Sequence, residues 1–243
     1  MMRAGGLLTR AAEWFFPQAR CLGCDEPREL DTGSALCAAC AMELEGLRIG
    51  ENACPHCLSP IKSGQACAYC AKGGMAGIER AFAPYVYRDI ARKLIVSLKF
   101  GPVELAAAPL AREMALQVSG IRFDALVPMP LHSSHFKERG MNQSLVLCGL
   151  ITEQIGLPVL DALKKTRKTK RQSTLPAAER ESNVKGAIAL KAPVNGMNLL
   201  LVDDVRTTGA TAREAAKILR EGGAASVCLL TAAVATAGGA HHE

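Results

Sequence analysis

Residues 199–211 read LLLVDDVRTTGAT: an aliphatic run, two adjacent carboxylates, then a small hydroxyl-and-glycine loop that opens into the helical pattern of residues 212–220. Leu199, Leu200, Leu201 and Val202 have the uninterrupted apolar character of a short parallel strand buried on both faces, which puts the polar chemistry at the strand's carboxyl end. Thr207, Thr208, Gly209, Ala210 and Thr211 supply backbone N–H groups, hydroxyls and close chain approach just ahead of a helix. The amides of a helix N-terminus favour a phosphate there. Asp203 and Asp204 would repel a bare phosphate, so they require a second ligand group, either paired hydroxyls or a bound divalent cation. A sugar phosphate satisfies both halves of the pattern.

The 243 residues suffice for one large or two modest domains, and a hydrophobic content of 49% can build a core. The net charge of +6 is concentrated: Lys164, Lys165, Arg167, Lys168, Lys170 and Arg171 fall within eight residues and read as a basic loop. Aromatic residues make up only 4%, which argues against a base-stacking platform for single-stranded nucleic acid. There is no run of eighteen apolar residues and no secretory cleavage pattern, so a cytoplasmic protein without a transmembrane segment is expected. Residues 1–20, with Leu7, Leu8, Trp14, Phe15 and Phe16 and the cations Arg3 and Arg10, have the character of an amphipathic lead segment. Docking on the chain's own domain and peripheral contact with the inner membrane both suit it.

Ten cysteines in a chain without an export signal point to metal rather than to disulfides. Eight of them form four Cys-x-x-Cys knuckles: Cys21/Cys24 is followed after twelve residues by Cys37/Cys40, and Cys54/Cys57 after nine by Cys67/Cys70. Each knuckle presents two thiolates to one tetrahedral zinc, and a second knuckle closes a four-sulfur shell with no position left for substrate or water. Two structural zinc ions are expected, supplying much of the folding energy of a short segment poor in aliphatic residues. Spacing leaves the pairing undecided: consecutive knuckles give two zinc ribbons, first-with-third pairing a cross-braced module. Cys148 and Cys228 sit in apolar runs and read as core.

Lys72-Gly73-Gly74-Met75-Ala76-Gly77 is a turn-rich joint, so the expected domains are a zinc-binding module at 21–72 and a second domain at 78–236. Beyond the joint, residues 81–87 favour a strand, 90–100 and 103–118 are helical, 125–127 form a short strand and 143–155 a helix. A short strand at 186–190, the 199–211 motif and a buried strand at 226–234 complete the order. Such alternation predicts an α/β fold: a mainly parallel sheet with flanking helices and ligands at the carboxyl ends of its strands.

The strand, acidic pair and Thr-Thr-Gly-x-Thr loop resemble the phosphoribosyl pyrophosphate (PRPP) motif of the type I phosphoribosyltransferases. The resemblance implies that fold class, with Asp203 and Asp204 as catalytic residues on the ribose hydroxyls and Thr207, Thr208, Gly209, Ala210 and Thr211 on the 5′-phosphate. Arg206 takes the variable position, where its cation either assists the phosphate or faces solvent.

A second constellation follows the strand ending at Val127: Pro128-Met129-Pro130-Leu131, then Arg139-Gly140-Met141-Asn142-Gln143, a stiff turn and a cation-bearing loop suited to another anion. With Leu98-Lys99-Phe100-Gly101, the segment Arg167-Lys168-Thr169-Lys170-Arg171-Gln172-Ser173-Thr174-Leu175 and the four knuckles, it is similar to the ComF family. That family joins a cysteine-rich zinc module to a phosphoribosyltransferase-like domain, and the likeness extends from about Cys21 to Val234. It implies that residues 128–140 face the pyrophosphate of PRPP with Lys137 and Arg139 as cations, that Arg167 through Gln172 belong to a closing loop, and that Mg2+ accompanies PRPP. It further implies a part in natural competence, with single-stranded DNA or DNA-uptake proteins meeting the basic loop or the zinc module. Two readings follow: an enzyme transferring the phosphoribosyl group of PRPP, or a non-catalytic PRPP-sensing accessory protein. No side chain identifies itself as the general base for an acceptor.

Overall fold

The structure, a computed structural model, describes residues 20–27, 35–61, 65–101, 103–169 and 182–235. Residues 1–19 of the expected lead segment, and Lys170, Arg171 and Gln172, lie outside the described residues. In chain order come helices α1 (Ala38–Glu45) and α2 (Ala68–Ala71), strands β1 (Ala81–Phe82) and β2 (Tyr85–Val86), and helices α3 (Asp89–Phe100) and α4 (Val103–Val118). Strand β3 (Ala125–Pro128), helices α5 (Ser133–Arg139) and α6 (Gln143–Ile155) and strands β4 (Leu163–Lys165) and β5 (Ile188–Leu190) follow. Strand β6 (Asn198–Arg206), helix α7 (Ala210–Glu221) and strand β7 (Ser226–Val234) complete the domain.

The main sheet is parallel, in the order β1-β7-β6-β3, with β2 pairing further along β7. Because side chains alternate along a strand, the apolar runs serve two cores at once. Leu200, Val202, Leu230 and Ala232 pack with α3, α4 and α6 on one face. Leu199, Leu201, Val227 and Leu229 pack with Ala215, Ala216 and Leu219 of α7 on the other. Each fully buried leucine contributes about 2 kcal/mol to this arrangement. Cys148 and Cys228 are buried, as expected of core residues. The segment with Cys21 and Cys40 joins the first core and the segment with Cys54 and Cys57 the second, so the cysteine groups sit on opposite faces of the sheet.

Three local readings change. Strand β6 runs beyond its apolar residues, because β7 continues beside it and pairs Asp203 with Thr231 and Arg206 with Val234. Strand β3 stops at Pro128, opposite Val202, so the acidic pair lies on the step where β6 outlasts its neighbour. The strand at 188–190 is not in the main sheet but pairs antiparallel with β4, which makes Lys164 and Lys165 strand residues rather than part of a basic loop. Finally, residues 128–140 contain helix α5 instead of an open loop: the Ser134 N–H donates to His132 Nδ1 at its start, and Gly140, at φ +77°, closes it. Among the described residues no helix is long and apolar enough to cross a membrane.

Candidate functional site

Cys21, Cys24, Cys37 and Cys40 form one group and Cys54, Cys57, Cys67 and Cys70 another, the four Sγ atoms of each lying within 4.8 Å of one another. Consecutive knuckles therefore pair. A tetrahedral shell with Zn–S bonds of about 2.3 Å has sulfur–sulfur edges of about 3.8 Å. The Cys24–Cys37 and Cys54–Cys70 edges measure 3.8 Å and Cys57–Cys67 3.5 Å, so the donor sets fit zinc. All eight thiols are free of disulfides. The knuckle backbone prepares thiolates: the Gly23 and Cys37 N–H groups donate to Cys21 Sγ at 3.4 and 3.2 Å. Burial pushes the Cys21 thiol up, but those amides and that of Cys24 outweigh it and bring it down to about 6. Cys67 comes down to about 7 against burial, through the amides of Cys70 and Tyr69 and the neighbouring thiols. Both groups are structural zinc sites, each a closed four-thiolate shell.

At the sheet step, Asp204 is 9% exposed and its Oδ2 pairs with Lys99 Nζ, on the last turn of α3, at 2.5 Å. Asp203 Oδ1 accepts from the Ser144 hydroxyl at 3.3 Å and from the Asp204 N–H at 2.9 Å. Burial, and then the adjacent Asp204 charge, push the Asp203 carboxyl up to about 7 against the weaker pull of those hydrogen bonds and Lys99. Burial also works against the Lys99 charge, but Asp204, helped by Asp203, holds that ammonium above its usual range. Lys165 on β4 is held below its usual range by burial; Asp203 draws it back, while Arg167 and Arg139 push it down further. Two carboxylates and a ring of cations thus share one poorly solvated end of the sheet.

Thr207 and Thr208 leave β6, and Gly209, at φ +71°, begins α7 with no side chain occupying the cap. That is the arrangement of a helix start suited to an anion. On the neighbouring turn Arg139 Nη1 donates to Gln143 Oε1 at 3.1 Å, its guanidinium lies 5.8 Å from the Phe100 ring centroid, and its buried Nε has no hydrogen-bond partner. Lys137 is exposed, and Arg167 Nη2 donates to the Lys185 carbonyl at 2.8 Å. Arg206 does not face solvent: it is 3% exposed, and its Nη2 donates to the Cys57 carbonyl at 2.7 Å and to Ser59 Oγ at 3.1 Å. The structure therefore directs Arg206 at the second zinc ribbon and gathers Asp203, Asp204, Arg139 and Arg167 around Lys165 and Lys99. In the sequence Lys165 stands out only as part of a basic run and Lys99 only within the Leu-Lys-Phe-Gly match, neither with a role at the acidic pair, and nothing marks Ser144.

A parallel α/β domain with an acidic pair and a Thr-Thr-Gly loop at its carboxyl end, carried behind two four-cysteine zinc sites, defines a class: a phosphoribosyltransferase-type domain joined to a double zinc ribbon. Residues 11–71 match the double zinc ribbon domain. The chain is 32% identical over 201 residues to the DNA utilization protein YhgH of Escherichia coli (strain K12), covering 79% of this chain and 87% of that protein. It is 30% identical to competence protein ComFC of Streptococcus pneumoniae, over 80% of this chain and 85% of that one, and 28% identical to competence protein F of Haemophilus influenzae, over 83% and 91%. The chain belongs to the ComF family. An orotate phosphoribosyltransferase of Mycobacterium tuberculosis H37Rv superposes with a TM-score of 0.36 at 14% identity, over 84% of this chain and 98% of that one.

Proposed function

We propose that the chain binds PRPP with Mg2+ at the carboxyl end of β6 and acts as a phosphoribosyltransferase-type enzyme in the handling of imported DNA. The observation that carries this reading is the acidic pair, Asp204 buried and Asp203 half-buried, set between an uncapped helix start and the cations Lys99, Lys165 and Arg139. Each part meets a different part of one ligand. Thr207, Thr208, Gly209, Ala210 and Thr211 hold the 5′-phosphate, Asp203 and Asp204 accept from the ribose hydroxyls, Lys137 and Arg139 meet the pyrophosphate, and Arg167 and Gln172 contribute to PRPP binding as part of the closing loop. Arg206 supports the loop from the ribbon side. When bound, Mg2+ neutralises part of the pyrophosphate charge. As pyrophosphate departs, negative charge grows on it and positive charge on the ribose anomeric carbon; fixed cations stabilise the first and the carboxylates the second.

The link to DNA is supported by the names of the relatives, one a DNA utilization protein and two competence proteins. The test is pyrophosphate release from PRPP and Mg2+ in the presence of nucleobases, nucleosides and single-stranded oligonucleotides. One acceptor class supports release, and Asp204→Asn lowers it by about 100-fold. Tight PRPP binding with no turnover on any acceptor replaces the enzyme with the PRPP-sensing accessory protein. Neutralising Lys168, Lys170 and Arg171 together weakens single-stranded DNA binding and flattens its salt dependence; unchanged binding removes DNA from the partners of that segment.

A further inference from the structure

The second zinc ribbon reaches the phosphate loop through several separate contacts. The hydroxyl of Tyr69, which lies between the ligands Cys67 and Cys70, donates to the Thr208 carbonyl at 3.0 Å. Arg213 of α7 donates to the same carbonyl at 2.8 Å and to the Gly74 carbonyl at 3.2 Å. Arg206 bonds the carbonyl of the ligand Cys57, and its guanidinium lies 4.7 Å from the Tyr69 ring centroid, bracing that ring from the strand side. Gly209 stands directly against Tyr69: a Cβ there would lie 2.2 Å from the hydroxyl. The first ribbon is fastened elsewhere, with Lys93 of α3 donating to the Gly23 carbonyl at 2.5 Å.

These contacts orient the loop. In a trans peptide the carbonyl and the following N–H point in opposite directions. Two donors that hold the Thr208 carbonyl toward the ribbon therefore turn the Gly209 N–H away from it, and the left-handed conformation of Gly209 lets the chain enter α7 from that orientation. Burying Arg206 against a zinc-ligand carbonyl locks the strand end that precedes the loop.

We propose that Tyr69, Arg206 and Arg213 are positioning residues that make the second zinc ribbon the backing of the phosphate loop, so that zinc on Cys54, Cys57, Cys67 and Cys70 and a phosphate ester on residues 207–211 stabilise each other. The identity of the ester rests on the PRPP reading; the contact itself does not. Coupling between two sites is reciprocal, so each ligand must tighten the other by the same factor. The first ribbon, on the opposite face of the sheet, is the internal control.

The experiment uses the full zinc-loaded chain with PRPP and Mg2+. Zinc transfer to a chromophoric chelator and hydrogen exchange of residues 54–70, 207–213 and 21–40 are followed with and without PRPP. PRPP slows the loss of one zinc of the two and protects 54–70 along with 207–213, while 21–40 exchanges as before. Tyr69→Phe, with zinc content and melting temperature retained, weakens PRPP binding by about fivefold and shrinks the protection of 54–70. Arg206→Met gives the same pattern should the tyrosine change prove too mild. If PRPP binds but 54–70 and zinc loss do not respond, and both variants bind within twofold of the parent, the proposal is overturned while the PRPP reading stands. If PRPP does not bind, that reading fails, and stripping the second zinc decides the coupling alone: faster exchange of 207–213 supports it, unchanged exchange overturns it.

Discussion

Replacing Asp203 by Asn makes the unliganded protein more stable in alkali and leaves its stability unchanged in acid. In the folded chain this carboxyl titrates at about 7 instead of its ordinary 3.8, chiefly because burial and Asp204 oppose its charge. A raised acid holds its proton more tightly in the folded state, so its contribution to stability is complete below its unfolded pKa, declines as pH rises and is lost above its folded pKa. A shift of roughly three units corresponds to about 4 kcal/mol at about 1.36 kcal/mol per unit. Residual solvent contact and the sharing of charge with Asp204 reduce the expected gain to about 2 kcal/mol. Asn keeps the shape, and its carbonyl oxygen can still accept from Ser144 and the Asp204 amide. The assay is urea unfolding of both chains in zinc-containing buffer from about pH 5.5 to about pH 8.5, taking the difference at each pH so that cysteine protonation, common to both, cancels. The advantage of the variant grows up to about pH 7, the folded pKa of Asp203, and levels off above it. A difference that stays flat, or a variant less stable at the alkaline end, would refute the assignment of an uncompensated carboxylate to Asp203.

Other perturbations follow from the same geometry. Lys99→Met leaves Asp204 beside Asp203 without its cation; urea titration should show a loss of about 2 kcal/mol and calorimetry a weakening of PRPP binding by about tenfold. Cys57→Ser halves the zinc content measured by atomic emission, because the two four-cysteine shells are independent; loss of both ions would contradict the consecutive pairing. Leu200→Ala, at a fully buried position between the sheet and its helices, should cost about 3 kcal/mol in urea unfolding, and a cost under about 1 kcal/mol would contradict that packing.

Much of this architecture was legible in the chain because its signals are local. The continuous apolar run at Leu199–Val202 marks a strand buried on both faces, and the alternation of patterns gives the parallel α/β class. Zinc was legible from the knuckles, but their pairing depends on how the chain folds between them, which spacing does not record. Helix α5 carries prolines before it and charges within it, and seven residues are too few to show an apolar stripe. The strand at 188–190 was visible as a strand, yet its partner, Leu163–Lys165, is a tertiary choice between short segments. Lys99 and Asp204 are more than a hundred residues apart in the chain, as are Tyr69 and Thr208, and nothing in either neighbourhood announces the other. Arg206 shows the limit most clearly: a cation beside a phosphate loop suggested solvent or ligand, and only the packed ribbon reveals a third use.

The most direct test is calorimetric titration of the zinc-loaded chain with PRPP and Mg2+, set beside the same titration of Asp204→Asn. The account predicts saturable one-to-one binding to the parent chain and a loss of affinity of about tenfold or more in the variant, as expected when a charged acceptor is removed from the ribose hydroxyls. No binding to the parent chain, or equal binding to the variant, would contradict it.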